Sequence, residues 1–338
     1  MLWYDHPMNK KYLIITGNRG FIGLNFISAI NNRKSAFSQG YDHIICVDNN
    51  QLIGTTGIDW FTEAGACPIP LNNFLLENTY DINSGILEAH LPKENATYTI
   101  LNFASRSHVD DSIKTPRELY VSNTSIVPSL IDMVGVENIE KFWHIRTDEE
   151  YGQLLGQENR PFEVGDPIRP RNVYSASKAS QTLYLEAMEQ TFGLNVGYFV
   201  LANQFGKLQH QSKMIPATIH RIIQGEPALI YGSGDQLREW TFVNDTIDII
   251  CDTMMSKKET DRIIHIADSS SIMTNNTLVT KVLAKLQDHG YKQEVKHIDD
   301  RLGHDFCYKI KPSDESYEYT KFDDIIGDVV EYYVGIWG

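Results

Sequence analysis

Cysteine is scarce in this chain. Four occur in 338 residues (Cys46, Cys67, Cys251 and Cys307), with no Cys-x-x-Cys and no spacing suited to zinc. A disulfide scaffold and a cysteine metal site are therefore excluded, and no metal is expected. The four read as small buried hydrophobes suited to a reducing cytoplasm. Basic charge is short as well: 30 Lys and Arg stand against 44 Asp and Glu, a net charge of −14. Such a chain lacks the basic surface that displaces counterions from nucleic acid or docks on anionic lipid. It can still bind a diphosphate through a few local Arg and Lys. No stretch of about 18 uninterrupted apolar residues exists, so no membrane span is expected. The stretch from Met1 to Pro7 has no basic region followed by an apolar run, so no signal peptide is expected. Internal repeats and low-complexity tracts are missing too, which removes solenoids and linkers as organising themes.

What is present is ordinary in bulk and ordered in pattern. Apolar residues at 42% and charged residues at 22% suit a globular protein, and 338 residues allow one large α/β domain or two packed lobes. The first half alternates short apolar runs with helical patterns, as a parallel sheet wrapped by helices does. Strands are expected at Tyr12–Ile15, His43–Val47, Tyr98–Phe103, Lys141–Ile145 and Val196–Leu201, with helices at Phe21–Ile30 and 175–190. After about residue 205 turns such as Tyr231-Gly232-Ser233-Gly234-Asp235 replace the alternation, which points to a smaller second lobe packed closely around a cleft.

The first strand runs into Thr16-Gly17-Asn18-Arg19-Gly20-Phe21-Ile22-Gly23 and then a helix. Glycines at 17, 20 and 23 let the backbone turn tightly and approach a pyrophosphate at the helix N-terminus. The first spacing is one residue longer than in G-x-G-x-x-G. Asp48 ends the second strand, where a carboxylate accepts hydrogen bonds from ribose hydroxyls and repels a 2′-phosphate. That favours NAD over NADP, although Arg19 in the loop pulls the other way.

Tyr174 and Lys178 form Tyr-x-x-x-Lys at the start of a helix, so both lie on one face. The lysine charge is expected to lower the phenol's pKa, making Tyr174 a base toward a substrate hydroxyl. Thr147-Asp148-Glu149 follows the strand at 141–145 and adds a hydroxyl and two carboxylates, an acid and a base that a simple dehydrogenase does not need.

With these landmarks the chain resembles the nucleoside-diphosphate-sugar 4,6-dehydratases, most of all the dTDP-glucose 4,6-dehydratases, of the extended short-chain dehydrogenase/reductase superfamily. The likeness runs from about residue 11 to about residue 311. It also takes in Leu101 to Ala104, Ser107 to Asp110, Tyr151-Gly152, Lys213 to Pro216, Tyr231 to Gly234, Arg238-Glu239-Trp240 and Arg301 to Asp305. The resemblance implies an α/β fold: a Rossmann-type doubly wound parallel sheet with a smaller C-terminal substrate-binding lobe. The NAD-binding part would span 10–204, with a return near 236–268, and the substrate lobe 205–235 and 269–338. It further implies a cytoplasmic enzyme acting on a nucleoside-diphosphate sugar as a homodimer, paired through helices near 117–134 and 175–190.

The implied mechanism begins with Tyr174 taking the proton of the sugar 4-hydroxyl while the C4 hydride passes to NAD. Glu149 then removes the C5 proton as Asp148 protonates the departing 6-hydroxyl, and the hydride returns to C6. Thr147 hydrogen-bonds the reacting oxygen. By the same likeness NAD would meet Gly17, Gly20, Phe21, Ile22, Gly23, Asp48, Asn49, Asp81, Ile82, Phe103, Ala104, Ser105, Ser122, Tyr174, Lys178 and Gln204. Ser107 and Asn203 would meet the sugar, and Lys213, Met214, Ile230 and Tyr231 the nucleobase. Arg238 and Arg301 would hold the diphosphate, with His265 and His304 beside them.

Several positions depart from the family's pattern. Arg106 stands for a usual Glu, Arg146 for Ser, Glu150 for Val, Gln204 for Asn, Leu229 for Pro and His265 for Asn. Either Arg106 or Arg146 pairs with Glu150 and reorganises local charge, or the substrate differs. Two other functions share most of these residues: an NDP-sugar 4-epimerase or decarboxylase, which would not need Asp148, and a silent nucleotide-sugar or NAD-binding protein, which would need none of the five catalytic residues.

Overall fold

The computed structural model describes residues 9–33, 37, 39–48, 76–80, 91–107, 109–154, 160–258, 260–292 and 294–338. A seven-stranded sheet forms the centre. Its members are β1 (Lys10–Thr16), β2 (His43–Val47), β3 (Leu76–Tyr80), β4 (Ala96–Asn102), β5 (Ile139–Thr147), β6 (Val196–Leu201) and β10 (Ile263–Ile266). They lie in the order β3-β2-β1-β4-β5-β6-β10, every neighbouring pair parallel.

The apolar runs build this sheet because both of its faces are covered. Leu13 and Ile15 point into one core with Phe26, Ile27 and Ile30 of helix α1 (Phe21–Asn32). Tyr12 and Ile14 point into the opposite core with Val127, Leu130 and Ile131 of α3 (Pro116–Val134) and Leu185 of α4 (Val173–Phe192). Successive residues face opposite sides, as the strand period requires. Full burial of a side chain such as Ile14 contributes about 2 kcal/mol. A short helix, α2 (Val109–Lys114), precedes α3.

The remaining elements form two small sheets and the helices around them. Strand β8 (Ala228–Tyr231) pairs in parallel with β12 (Val295–Ile298), and β9 (Leu237–Phe242) lies between β7 (Asn203–Phe205) and β11 (Ile272–Thr274). Helices α5 (Met214–Ile223), α7 (Asn275–Asp288) and α8 (Phe322–Trp337) pack on one another through Ile219, Val282 and Val329. Helix α6 (Val243–Met255) packs on α1, and the chain then re-enters the large sheet at β10. Residues 237–242 do not join that sheet.

Strand order reverses between β1 and β4, whose carboxyl ends meet at Thr16 and Asn102. In open α/β sheets the crevice beyond such a switch point is where ligands bind. Among the described residues no helix is long and apolar enough to cross a membrane, and no His, Cys, Asp and Glu cluster could hold a metal ion.

Candidate active site

At the switch point the glycine turn is held by contacts that tolerate no side chain. Gly17 sits at φ 68°, and a Cβ there would lie 2.7 Å from the Ala104 nitrogen. A Cβ on Gly23 would lie 2.2 Å from the Gly17 oxygen, so a side chain would push α1 off its turn. Thr16 Oγ1 donates to Asn102 Oδ1 at 2.5 Å, which locks the two strand ends together. Gly20 caps α1 without a side-chain bond, leaving the positive end of the helix to face an anion. Asp48 Oδ2 accepts the Arg19 N–H at 3.0 Å, fixing the carboxylate beside the turn.

These groups line a cavity of about 450 Å³. Gly17, Gly20, Phe21, Ile22, Gly23, Asp48, Phe103, Ala104, Ser105, Ser122, Tyr174 and Lys178 all border it. A helix N-terminus for a pyrophosphate, a carboxylate for ribose hydroxyls and a Tyr–Lys pair at the far end fit a dinucleotide. Gln204 borders the adjoining cavity instead; Thr246 Oγ1 donates to its Oε1 at 2.7 Å, and its Nε2 donates to Ala202 O at 3.2 Å. Asn49, Asp81 and Ile82 lie outside the described residues.

The adjoining cavity, about 320 Å³, is built where β5 ends. There Thr147 caps a 3₁₀ turn, Asp148–Tyr151. Its Oγ1 donates to Asp148 Oδ1 at 3.1 Å and accepts Glu149 N–H at 3.4 Å. Asn172 caps α4 through a 2.8 Å bond from Ser175 N–H, and its Nδ2 donates to Glu149 Oε2 at 2.9 Å. Tyr174 and Lys178 follow on the first two turns of that helix, with Tyr174 bordering both cavities.

Burial sets the charges here. Asp148 is 2% exposed; burial, then the neighbouring Glu149, pushes its carboxyl up to about 7. Its Oδ2 has no hydrogen-bond partner among the described residues. Glu149 is also raised by burial, with the Asn172 hydrogen bond pulling it back. Burial lowers Lys178 to about 8, Glu150 opposing and Arg146 assisting. Tyr174 departs from expectation. Burial, then Glu149, Glu150 and Asp148, holds its phenol well above the ordinary value, and a hydrogen bond with Thr147 offsets this only in part. Lys178 therefore does not by itself make a phenolate.

The substrate side gathers most of the expected residues. Ser107, Asn203, Lys213, Met214, Arg238, Arg301 and His304 border the same cavity as Thr147, Asp148 and Glu149. Backbone carbonyls clamp the Arg238 guanidinium: Leu237 at 2.7 Å, Phe306 at 3.1 Å and Asp305 at 2.6 Å. Lys213 Nζ donates to Ser107 O at 2.7 Å, and Asn203 Nδ2 is buried without a described partner. His304 Nδ1 lies 2.6 Å from Asp300 Oδ1. Ile230 and Tyr231 border neither cavity. Ile230 is buried in β8, while the Arg301 guanidinium stacks over the Tyr231 ring at 5.1 Å.

His265 corrects the expectation that it meets a diphosphate. It is 1% exposed on β10, its Nε2 2.8 Å from Tyr151 Oη and its Nδ1 3.1 Å from Lys311 O. Both ring nitrogens are thus spent within the core, and burial drops its pKa to about 4. The two unusual arginines also resolve: Arg146 Nε pairs with Glu150 Oε2 at 2.9 Å, and Arg106 Nη1 with Glu118 Oε1 at 2.8 Å. Sequence reasoning missed Asn172, although an Asn two residues before a helix-opening Tyr is a cap signal. Trp240, which the sequence marked only as part of Arg238-Glu239-Trp240, and Tyr308, which carried no local signal, also border the cavity.

Comparison with known proteins agrees with this geometry. A family profile described as the NAD dependent epimerase/dehydratase family matches residues 13–267. The chain is similar to dTDP-glucose 4,6-dehydratase of Xanthomonas campestris pv. campestris, 30% identical over 95% of this chain and 92% of that one. It is similar to the low-salt glycan biosynthesis protein Agl12 of Haloferax volcanii, 28% identical over 96% and 98% of the two chains. Among solved structures it resembles DesIV (dTDP-glucose 4,6-dehydratase) of Streptomyces venezuelae with NAD and TYD bound, with a TM-score of 0.81 and 26% identity over 96% and 98% of the chains.

Proposed function

The chain belongs to the NAD dependent epimerase/dehydratase family, and from that premise we infer that it is an NAD-dependent 4,6-dehydratase of a nucleoside-diphosphate hexose, dTDP-glucose or a related NDP-sugar. One observation carries this reading within the family. Two carboxylates, the buried Asp148 and the half-buried Glu149, stand on one turn in the cavity that Tyr174 enters. Epimerisation at C4 has no use for that pair; removal of water across C5 and C6 needs both.

Each residue then has a role its surroundings support. The positive end of α1 takes the cofactor diphosphate and Asp48 its ribose hydroxyls. Bound NAD supplies the hydride acceptor for C4 and the donor for C6. Tyr174 takes the 4-hydroxyl proton. Its high intrinsic pKa means that the positive charge of Lys178 has to act together with that of the bound cofactor. Once C4 is a ketone, the C5 proton is acidic and Glu149, oriented by Asn172, removes it. Asp148, whose carboxyl burial raises to about 7 so that a large share keeps its proton at neutral pH, gives that proton to the departing 6-hydroxyl. Thr147 holds the reacting oxygen. Arg238 and Arg301 hold the substrate diphosphate, with Lys213 and Met214 toward the base and Ser107 and Asn203 toward the sugar.

We assign cofactor binding to 10–204 with the return at β10, and substrate binding to the remainder. A homodimer is supported by the packed pair α3 and α4, which leaves Tyr120, Val121 and Leu183 exposed at 39%, 54% and 54%. The buried free cysteines Cys46, Cys251 and Cys307 suit the cytoplasm. Incubation with a panel of NDP-hexoses, followed by mass spectrometry for loss of one water, tests the reading. A change in sugar configuration without mass loss would make the protein an epimerase.

A further inference from the structure

The catalytic turn rests on an ion pair that the mechanism does not use. Arg146, 3% exposed, and Glu150, fully buried, bracket Thr147, Asp148 and Glu149 in sequence and meet at 2.9 Å. Glu150 does more than pair. Its Oε1 accepts Thr147 N–H at 3.4 Å and its Oε2 accepts Thr182 Oγ1 of α4 at 2.9 Å. One carboxylate thereby ties the end of β5, the 3₁₀ turn and the helix bearing Tyr174 and Lys178. The Arg146 guanidinium stands 5.6 Å from the Tyr151 ring and 5.4 Å from the Tyr198 ring.

A buried ion pair is a poor source of stability, since desolvation consumes most of the attraction. Its position next to the reacting groups suggests another use. We propose that the Arg146–Glu150 pair is a positioning element of the active site, fixing the catalytic turn against α4 and setting the charge that Lys178 and Tyr174 experience. This rests on the role given above to Tyr174 and Lys178.

The charged and titratable groups around the pair come from every neighbouring element. His144 lies on β5, and Asp148, Glu149 and Tyr151 on the turn. Tyr174 and Lys178 lie on α4 and Tyr198 on β6, with Arg262 over the Tyr198 ring at 5.4 Å. On β10, His265 bonds Tyr151. Of the two catalytic groups on α4, Lys178 is the one shifted by both members of the pair. After burial, Glu150 is the larger influence on it and Arg146 the smaller, and the two act in opposite directions. Neutralising Glu150 alone leaves Arg146 uncompensated and must lower the Lys178 pKa. Removing both charges must lower it by less.

The test is amine labelling of Lys178 across pH, read by mass spectrometry of its peptide. It compares the parent chain, Glu150→Gln and the double variant Arg146→Met/Glu150→Leu. The double variant replaces the pair with apolar bulk, an exchange that buried ion pairs commonly tolerate, and so covers a failure of Glu150→Gln to fold. We expect the labelling midpoint, about 8 in the parent, to fall by on the order of one unit in Glu150→Gln and by less in the double variant. A merely structural pair would change melting temperature and leave the midpoint in place, so a midpoint in both variants at or above the parent's overturns the proposal. The labelling needs no substrate. Failure of the parent to dehydrate dTDP-glucose would count against the assigned reaction and leave this measurement decisive for the pair.

Discussion

Asn172 donates from Nδ2 to Glu149 Oε2 at 2.9 Å while its Oδ1 accepts the Ser175 N–H at 2.8 Å. One side chain thus caps the helix that carries Tyr174 and orients the carboxylate assigned as the C5 base. The two tasks can be separated. Asn172→Ser keeps a good cap and loses the bond to Glu149, so the protein should melt close to the parent. Glu149 loses a bond that lowers its pKa, and the acid limb of the dehydration rate should move to higher pH. In mildly acidic buffer the rate should fall roughly tenfold. Asn172→Ala should show the same limb and melt lower, by about 1 kcal/mol of lost capping. An unmoved limb in both variants would remove Asn172 from the mechanism.

Asp148 is useful as an acid only while it holds its proton, and its carboxyl sits at about 7. Water loss should therefore slow as pH rises through about 7. Asp148→Asn should abolish that limb and lower the rate roughly 10²- to 10⁴-fold. Glu149→Gln should bind NAD normally and still oxidise C4, yet fail to lose water. Quenched reactions read by mass spectrometry separate these steps, and full turnover by Glu149→Gln would rule it out as the base.

Asp48 is held by the Arg19 backbone at 3.0 Å, and its carboxylate borders the cofactor cavity. Asp48→Ala should weaken NAD binding by about tenfold or more and relax discrimination against NADP. Calorimetry on stripped protein measures both. Tighter binding of NADP than of NAD by the parent would mean that the Arg19 side chain decides the cofactor.

His265 now enters stability and not substrate affinity. The folded chain keeps its ring neutral down to about 4, while the ordinary value is 6.5, so the unfolded state takes up the extra proton between them. Stability from this group is full above 6.5 and drains as pH falls to about 4, by up to ~3 kcal/mol. Removing the titration with His265→Asn should make the fall of melting temperature over that window shallower. His144, buried and also held neutral, contributes to the slope that remains. Equal slopes for parent and variant would contradict this placement.

The sheet was legible where burial on both faces writes a continuous apolar run, as at Tyr12–Ile15 and Val196–Leu201. Strand β3 was not, because Leu76-Glu77-Asn78-Thr79-Tyr80 carries no such run. The site was legible where spacing fixes chemistry: the glycines of the first turn, Thr147 to Glu149, and Tyr174 with Lys178. His265 was misread because which face of a strand a polar residue takes depends on partners far away in sequence, here Tyr151 and Lys311. The phenol of Tyr174 was misread for a related reason. Its environment is the sum of burial and three carboxylates, and only the lysine stood at helical spacing beside it.

The central claim is a dehydration with internal transfer of hydrogen from C4 to C6. It is tested most directly by incubating the purified protein and NAD with dTDP-glucose deuterated at C4 and weighing the product. The account predicts loss of one water with the deuterium kept, now on C6, and hydrogen from solvent at C5. Recovery of the sugar at unchanged mass, or a product that has lost water but not kept the deuterium, would contradict it.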